Sequence, residues 1–517
     1  MASPPDVRPF VALLLYVPAS LGYAVTAAKQ HATRTVFWIF FLGVMFLPEL
    51  VAFDAPLIPP LTKYEFAGLM SLAAAYLVHK DRLLGSKPLR GVDLFFVLTL
   101  LGNIGTVLTN ADTLSFGVYW WDKAGNLVAE PRILSGHTHK DIIAITVRDS
   151  LSMYVPYLMG RVAFRTLDDA KTLTQGIVKI ALIYAPGCLL EARISPQIHK
   201  WVYGYASTGI AGVVRGDGFK PVMFQNSGLA VATFLFCAVA CAAVLAKRKE
   251  KVWGLPAIAP MLILMVTLAL SHNMAALLYT LVAIPIIFMS RGKLAITAAV
   301  VLAILVLLYP PIRAFQMVDV YAFIEWLTEI TPERADSLHV RFYNEDILYE
   351  RAEERLTFGW GGYGRNRVYD ERGKDICLTD GEWIIRVGCR GIIGFIGSFG
   401  LILAPIFVTW RRANRIPKAG RVYVDALAII CALIAVDLLP NSLFTKLPFF
   451  FGGALIGLAR GLEKEAKQQP LAGHGVAPPG GGLPPGMVYV HQQAPQQPAL
   501  GPGAVQGHGN PSGQGPR

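Results

Sequence analysis

The fold class predicted for this chain is all-α: a polytopic membrane protein of about 12–14 transmembrane helices. Three observations predict it. Of the 517 residues 54% are hydrophobic and only 16% charged, where a soluble protein averages roughly 25% charged. The mean hydropathy is +0.47. Apolar stretches long enough to cross the hydrocarbon, about 20 residues each, recur along most of the chain.

Taken in order, the apolar runs place spans near 10–27, 36–53, 64–79, 92–110, 142–160, 173–190, 226–246, 254–271, 273–290, 294–311, 391–410, 423–440 and 446–460. The first reads as a span followed by the basic segment from Lys29 to Arg34. A signal peptide ending at "VTAA" is the alternative. Short basic loops orient the rest: "KDRLLGSKPLR" (80–90), 161–171, "KRKEK" (247–251), "SRGK" (290–293) and "RRANR" (411–415) fall on the cytoplasmic side. That leaves 111–141, 191–225 and 312–390 outside, with the N-terminus outside and the C-terminus inside.

Three regions follow. Residues 1–140 hold the first spans and the first external loop, and 141–463 form a core with external loops 191–225 and 312–390. Residues 464–517, rich in Pro, Gly and Gln, lack the apolar surface to fold and are expected to be a disordered cytoplasmic tail. The tail is inert or a tether for a partner. Its His474, His491 and His508 are too dispersed to bind a metal. The net charge of +12 belongs to loop sidedness; no basic stripe with interleaved aromatics suggests nucleic acid. The six cysteines include no CxxC pair, so neither zinc nor a redox motif is expected, and no metal or cofactor is assigned. Cys237 and Cys241 read as packing. Cys377 and Cys389 leave a disulfide open. No internal repeat of the kind that marks transporters is visible.

The external loops carry the chemistry. In "VVRGDGFKPVMFQNSG", Arg215 and Lys220 lie among Gly216 and Gly218, where exposed amides beside an arginine suit an anion. Tyr203 and Tyr205 precede them, suited to sugar stacking or to the membrane interface. Thr331 and Pro332 begin a helix as N-cap and first residue. Arg341, Arg351 and Arg355 lie along that helix, among Glu345, Asp346, Glu350, Glu353 and Glu354, and pairing along the helix accounts for most of these charges. The helix breaks at "GWGGYGRNR", with Trp360, Tyr363, Arg365 and Arg367. Asp380, Glu382, Arg386 and Arg390 then precede the next span. Gly-rich turn, arginines, aromatics and carboxylates together suit a phosphorylated, glycosylated substrate. "GWGGYG" is no nucleotide fingerprint, because no strand–helix unit surrounds it.

Over roughly residues 140–460 the order of these pieces resembles the O-antigen ligase and O-antigen polymerase superfamily of bacterial multispanning membrane proteins. The matching pieces are the external arginine in "VVRGDGFKPVMFQNSGL", the arginine leading a helix into a Gly-rich turn in "VRFYNEDILYERAEERLTFGWGGYG", and the span start "DGEWIIRVGCRGIIGF". There Gly391 and Gly394 match the family's Gly-x-x-Gly. Asp380 and Gly381 stand where His-Asn is usual, and Ser271-His272-Asn273 where Ser-Arg-Gly is usual.

The resemblance implies glycosyl transfer on the external face of a bacterial inner membrane, for surface polysaccharide assembly, without metal or nucleotide sugar. The donor is a glycan on a polyprenyl diphosphate. The bilayer and other polysaccharide-assembly membrane proteins are the implied partners. The missing histidine favours a polymerase over a ligase. Arg215 and Arg341 are the implied stabilisers of the leaving diphosphate. Asp380 is the implied general base, provided that desolvation at the membrane edge tunes it. Lys220, Arg351, Arg355, Arg365, Arg367, Arg386, Trp360, Tyr363 and His272 are the implied substrate contacts, and His272 is also a second candidate base. Two alternatives remain. One is a glycan or anion transporter, with Arg148, Asp149 and Asp437 as its membrane-embedded charges. The other is an inactive scaffold.

Overall fold

The computed structural model describes residues 6–27, 31–55, 58–121, 124, 127–216, 218–378, 380–442 and 446–468. The predicted tail, 464–517, therefore lies outside the described residues from 469 onward. What precedes it is helix, because Leu447–Gln468 continues through Glu463.

The chain is a helical membrane protein. Among the described residues, seven helices are long and apolar enough to cross a bilayer: Arg8–Ala27, Gly91–Leu108, Leu167–Ile194, Gly228–Lys247, Leu294–Ala314, Glu382–Arg415 and Lys418–Asp437. Ala32–Phe46, Ile258–Ala269 and Met274–Met289 are shorter apolar helices. Lys63–Val78 and Leu447–Gln468 also coincide with predicted spans. The 142–160 span is one continuous helical path, His139–Asp149 and Val155–Ala163 joined by a π-turn at Ser150–Tyr154. Pro156 has no N–H for the regular ladder, and a π-turn absorbs that defect. The 36–53 span ends early, at Phe46. The chain then passes Pro48 and turns into the hairpin Ala52–Ala55/Ile58–Thr62.

Helix starts follow local chemistry. Thr62 with Glu65, and Thr166 with Asp169, form capping boxes. Ser227 and Asn273 cap the next N-termini. Helix Pro332–Glu353 begins after Thr331, as its sequence predicts. A helix that went unpredicted, Val320–Ile330, precedes it, capped by Asp319. It exposes Phe323, Trp326 and Ile330, residues suited to the membrane interface.

Contacts divide the loops as the charge pattern predicts. At one end Arg82 pairs with Asp169 at 3.1 Å, Lys247 donates to the Ser290 carbonyl at 3.1 Å, and Arg421 to that of Gly292 at 2.9 Å. At the other, Arg355 pairs with Asp112 at 3.0 Å, and the backbone of Gly373 lies against Gly117. Arg215 and Arg334 line one cavity there. Segments assigned to the same side meet one another.

Small residues set the closest helix packing. A Cβ on Gly457 would stand 2.5 Å from the Phe164 carbonyl oxygen and 2.7 Å from that of Arg161. Gly453, Gly457 and Gly461, at a four-residue spacing, bring Leu447–Gln468 onto the backbone of 157–165.

Candidate functional site

At the loop-rich end, helices Met274–Met289, Leu294–Ala314, Pro332–Glu353 and Lys418–Asp437 and the start of Glu382–Arg412 surround a cavity of about 230 Å³. Arg341 and Asp380 both line it, and Arg341 Nε lies 3.6 Å from Asp380 Oδ2. Their side chains are 39% and 54% exposed, so both are open to a ligand. Asp380 is thus not the desolvated carboxylate expected at the membrane edge; it sits on the loop before the helix.

The base of this cavity is fixed by Glu345, a carboxylate that the charge pattern of its helix would pair locally. The structure turns it across the bundle instead. Trp383 Nε1 donates to it at 3.1 Å, Tyr309 Oη at 2.9 Å and Arg313 Nε at 3.3 Å. Burial raises the Glu345 pKa, against the donors that favour its charge. The same arginine reaches Asp346 at 2.5 Å. Three helices are thereby tied at one carboxylate. Asp437 lies within electrostatic reach of Arg341 and accepts from Tyr279 at 3.2 Å, Thr233 at 3.3 Å and Asn441 at 2.8 Å.

A neighbouring cavity of about 340 Å³ is lined by Arg215, His272, Asn273 and Arg334. Arg215 and His272 are therefore brought together. The hairpin Val214–Arg215/Gly218–Phe219 carries Arg215 at its tip. A Cβ at Gly218 would meet His272 Nε2 at 2.6 Å, so that glycine makes room for the imidazole. Lys220 connects the two cavities electrostatically. Burial lowers its pKa, and the charges of Arg215 and Arg341 lower it further. Among the described residues, Arg215, Lys220 and Arg334 form no ion pair, and a convergent excess of cations attracts an anion.

The other predicted contacts lie apart from these cavities. Trp360, only 4% exposed, is sandwiched between Arg351 and Arg355, whose guanidinium carbons lie 3.3 Å and 4.1 Å from its ring centre. Arg355 also binds Asp112 and Asn110. Arg365 is buried and donates to the Trp360, Asp112 and Ser135 carbonyls at 3.0, 2.9 and 3.1 Å. The Arg355 hydrogen bond, chiefly, holds the Asp112 carboxyl below its usual range. Arg367 is held by Asp375, the Cys377 carbonyl and Tyr363. Arg386 pairs with Glu382 at 2.7 Å, one turn away on the same helix. Cys377 and Cys389 are both free and buried.

The Gly-rich turn has a structural task that its composition did not reveal. Helix Glu382–Arg412 is broken at Gly391, with φ 65° and ψ −173°. The turn clamps the break: Trp360 N–H donates to the Gly388 carbonyl at 2.8 Å, Gly361 N–H to that of Cys389 at 3.0 Å, and Ile392 N–H to that of Leu356 at 2.8 Å. A Cβ on Gly359 would stand 2.5 Å from Arg390 N. Glycine is required on both sides because backbone meets backbone.

These positions make the loop-rich end anion-attracting: Arg341 with Asp380, Arg215 with His272, and Lys220 under the charge of both arginines. Compared with known proteins, the chain matches no family model and no curated protein.

Proposed function

We propose that the protein is a membrane glycosyltransferase that polymerises, or ligates, polyprenyl-diphosphate-linked oligosaccharide units on the external face of a bacterial inner membrane. The observation that carries this reading is that Arg341 and Asp380 line one cavity and Arg215 and His272 a second, with Lys220 under the charge of both arginines. In the reaction, an acceptor hydroxyl oxygen bonds to the anomeric carbon of the donor glycan. The bond from that carbon to the diphosphate oxygen breaks, and its electron pair leaves with the diphosphate. The hydroxyl proton passes to the Asp380 carboxylate, whose claim to the role rests on its place in the cavity wall beside Arg341 and not on desolvation. Cations at the leaving group stabilise charge that grows toward the transition state, the most effective place for them. Planar guanidinium groups match phosphate oxygens in pairs.

The test is purified protein in proteoliposomes with a lipid-linked repeat unit. Arg215→Gln, Arg341→Gln and Asp380→Asn are expected to abolish chain growth at normal protein level. Full activity in all three would refute the assignment.

A transporter is the second reading, and one observation favours it. The helix break at Gly391 lies beside the buried Arg390 and close to the buried Asp149, which accepts from Asn103 at 2.9 Å. Broken helices with embedded charges characterise transport sites. Substrate flux across the same vesicles without glycosyl transfer would decide for it.

A further inference from the structure

At the opposite end of the bundle lies a cavity of about 380 Å³ that the external chemistry does not use. Its wall carries Lys87, Arg90, Arg161, Arg165, Arg460 and Lys464, and no carboxylate lines it. Such a concentration of like charge is costly unless an anion compensates it. Protein acids supply little compensation. Asp93 pairs with Arg161, whereas Lys87, Arg90, Arg460 and Lys464 form no ion pair among the described residues.

Two further observations concern the walls of this cavity. Arg161 is 4% exposed, yet its Nε has no hydrogen-bond partner, and neither has the buried Ser86 Oγ on the facing loop. Buried donors left unmatched are uncommon and call for a ligand or water. The walls are also fixed in place. Gly457 and Gly461 seat the last helix directly on the backbone of 161–165. The 85–91 loop holds Lys87 at φ 48° and Leu89 at φ 59°, conformations that cost energy outside glycine. The loop is pinned there by Arg161 Nη2 donating to the Ser86 carbonyl at 3.1 Å and by Leu89 N–H donating to Asp93 at 2.9 Å. Burial, and then the charges of Arg82 and Arg161, hold Arg165 below its ordinary pKa.

The geometry points to a phosphate-binding site here, in which Lys87, Arg90, Arg460 and Lys464, which form no ion pair among the described residues, receive a multiply charged phosphate group. Either the phosphodiester headgroup of an anionic lipid or a free pyrophosphate supplies that chemistry. The position, between helices at the basic end of the bundle, is where anionic headgroups are held by membrane proteins. The site is independent of the external one.

The test uses full-length delipidated protein in neutral detergent. In one arm, native mass spectrometry measures retention of cardiolipin, phosphatidylglycerol and phosphatidylcholine from mixed micelles. In the other, calorimetry measures inorganic pyrophosphate. Arg460→Gln and Lys464→Gln remove cations that form no ion pair among the described residues, and each is expected to weaken binding about tenfold, the worth of one charge-assisted hydrogen bond. Arg291→Gln, an exposed cation at the same end, is the control and keeps wild-type binding. Retention of the anionic lipids alone assigns a headgroup site, and pyrophosphate binding alone a soluble-anion site. Binding of neither above the phosphatidylcholine background overturns the proposal. So does equal loss in the Arg291 control, or wild-type binding by both variants.

Discussion

Replacing Gly391 with alanine is expected to destabilise the protein by roughly 3–7 kcal/mol. Two costs add. At φ 65° and ψ −173° the backbone is in a region open essentially to glycine alone, and an L-residue forced into it costs about 1–3 kcal/mol. The new Cβ would also collide with the Thr357 carbonyl and stand 2.5 Å from Phe358 N. These are backbone atoms, so no side chain can swing away. Relief requires the 356–361 turn to withdraw, which breaks the hydrogen bonds at Gly388, Cys389 and Leu356, each worth about 0.5–1.5 kcal/mol net. Gly362→Ala is the matched control. A Cβ there meets only His137 Cε1 at 4.0 Å, and its φ is not positive. Thermal unfolding of the detergent-purified proteins, followed by intrinsic fluorescence, measures the difference. A large fall in Tm is expected for Gly391→Ala and none for Gly362→Ala. Equal Tm values for the two variants would refute the clamp as the reason for glycine. The break also directs the 382–390 segment, whose Ile384 lines the external cavity. Activity is therefore expected to fall with stability.

The Arg341–Asp380 pair is long and half-exposed, so Arg341→Gln should cost only about 0–1 kcal/mol. Chain growth lost at an unchanged Tm is the expected combination. Burial, with Arg215 and Arg341, lowers the Lys220 pKa. The unfolded chain keeps that proton to higher pH, so the cost of a charged Lys220 in the fold is lost progressively as pH rises from the lowered value to that of the unfolded lysine. A bound anion favours the ammonium, so pyrophosphate affinity at this site should fall at lower pH than an ordinary lysine would allow. Titration of Lys220→Arg should show that fall removed. Asp112→Ala takes an acceptor from Arg355 and from the buried Arg365, at an expected cost of about 1–3 kcal/mol. Thermal unfolding measures it, and Arg351→Lys in the same background tests whether the Trp360 sandwich weakens with it.

Much of the architecture was legible because it depends on composition and short-range chemistry. Each predicted span overlaps a helix, although 36–53 stops at Phe46, since apolarity over a run needs no knowledge of neighbours. Thr331 and Pro332 start their helix where a cap and a first-turn proline must. The external cluster was only partly legible. Arg341 and Asp380 do share a cavity, and Arg215 does meet His272. By contrast, Arg355, Arg365 and Arg367 looked like substrate contacts, and the structure spends them on Asp112, Asp375 and carbonyl groups. A guanidinium that holds a loop and one that holds a phosphate have the same local sequence. Glu345 shows the converse error: among many charges on one helix it read as a surface pair, yet it joins three helices.

The sequence by itself determined that this chain spans a membrane, which loops meet one another, and where the Pro332–Glu353 helix begins, because bilayer solvation and capping act over one or two turns. The tertiary structure decided which charges stay free. It turned "GWGGYG" from a presumed ligand loop into a backbone clamp on Gly391, and it gathered Lys87, Arg161, Arg460 and Lys464 from three distant stretches around one cavity. Both outcomes depend on which helices become neighbours, and that is settled by packing over the whole bundle rather than by any local pattern.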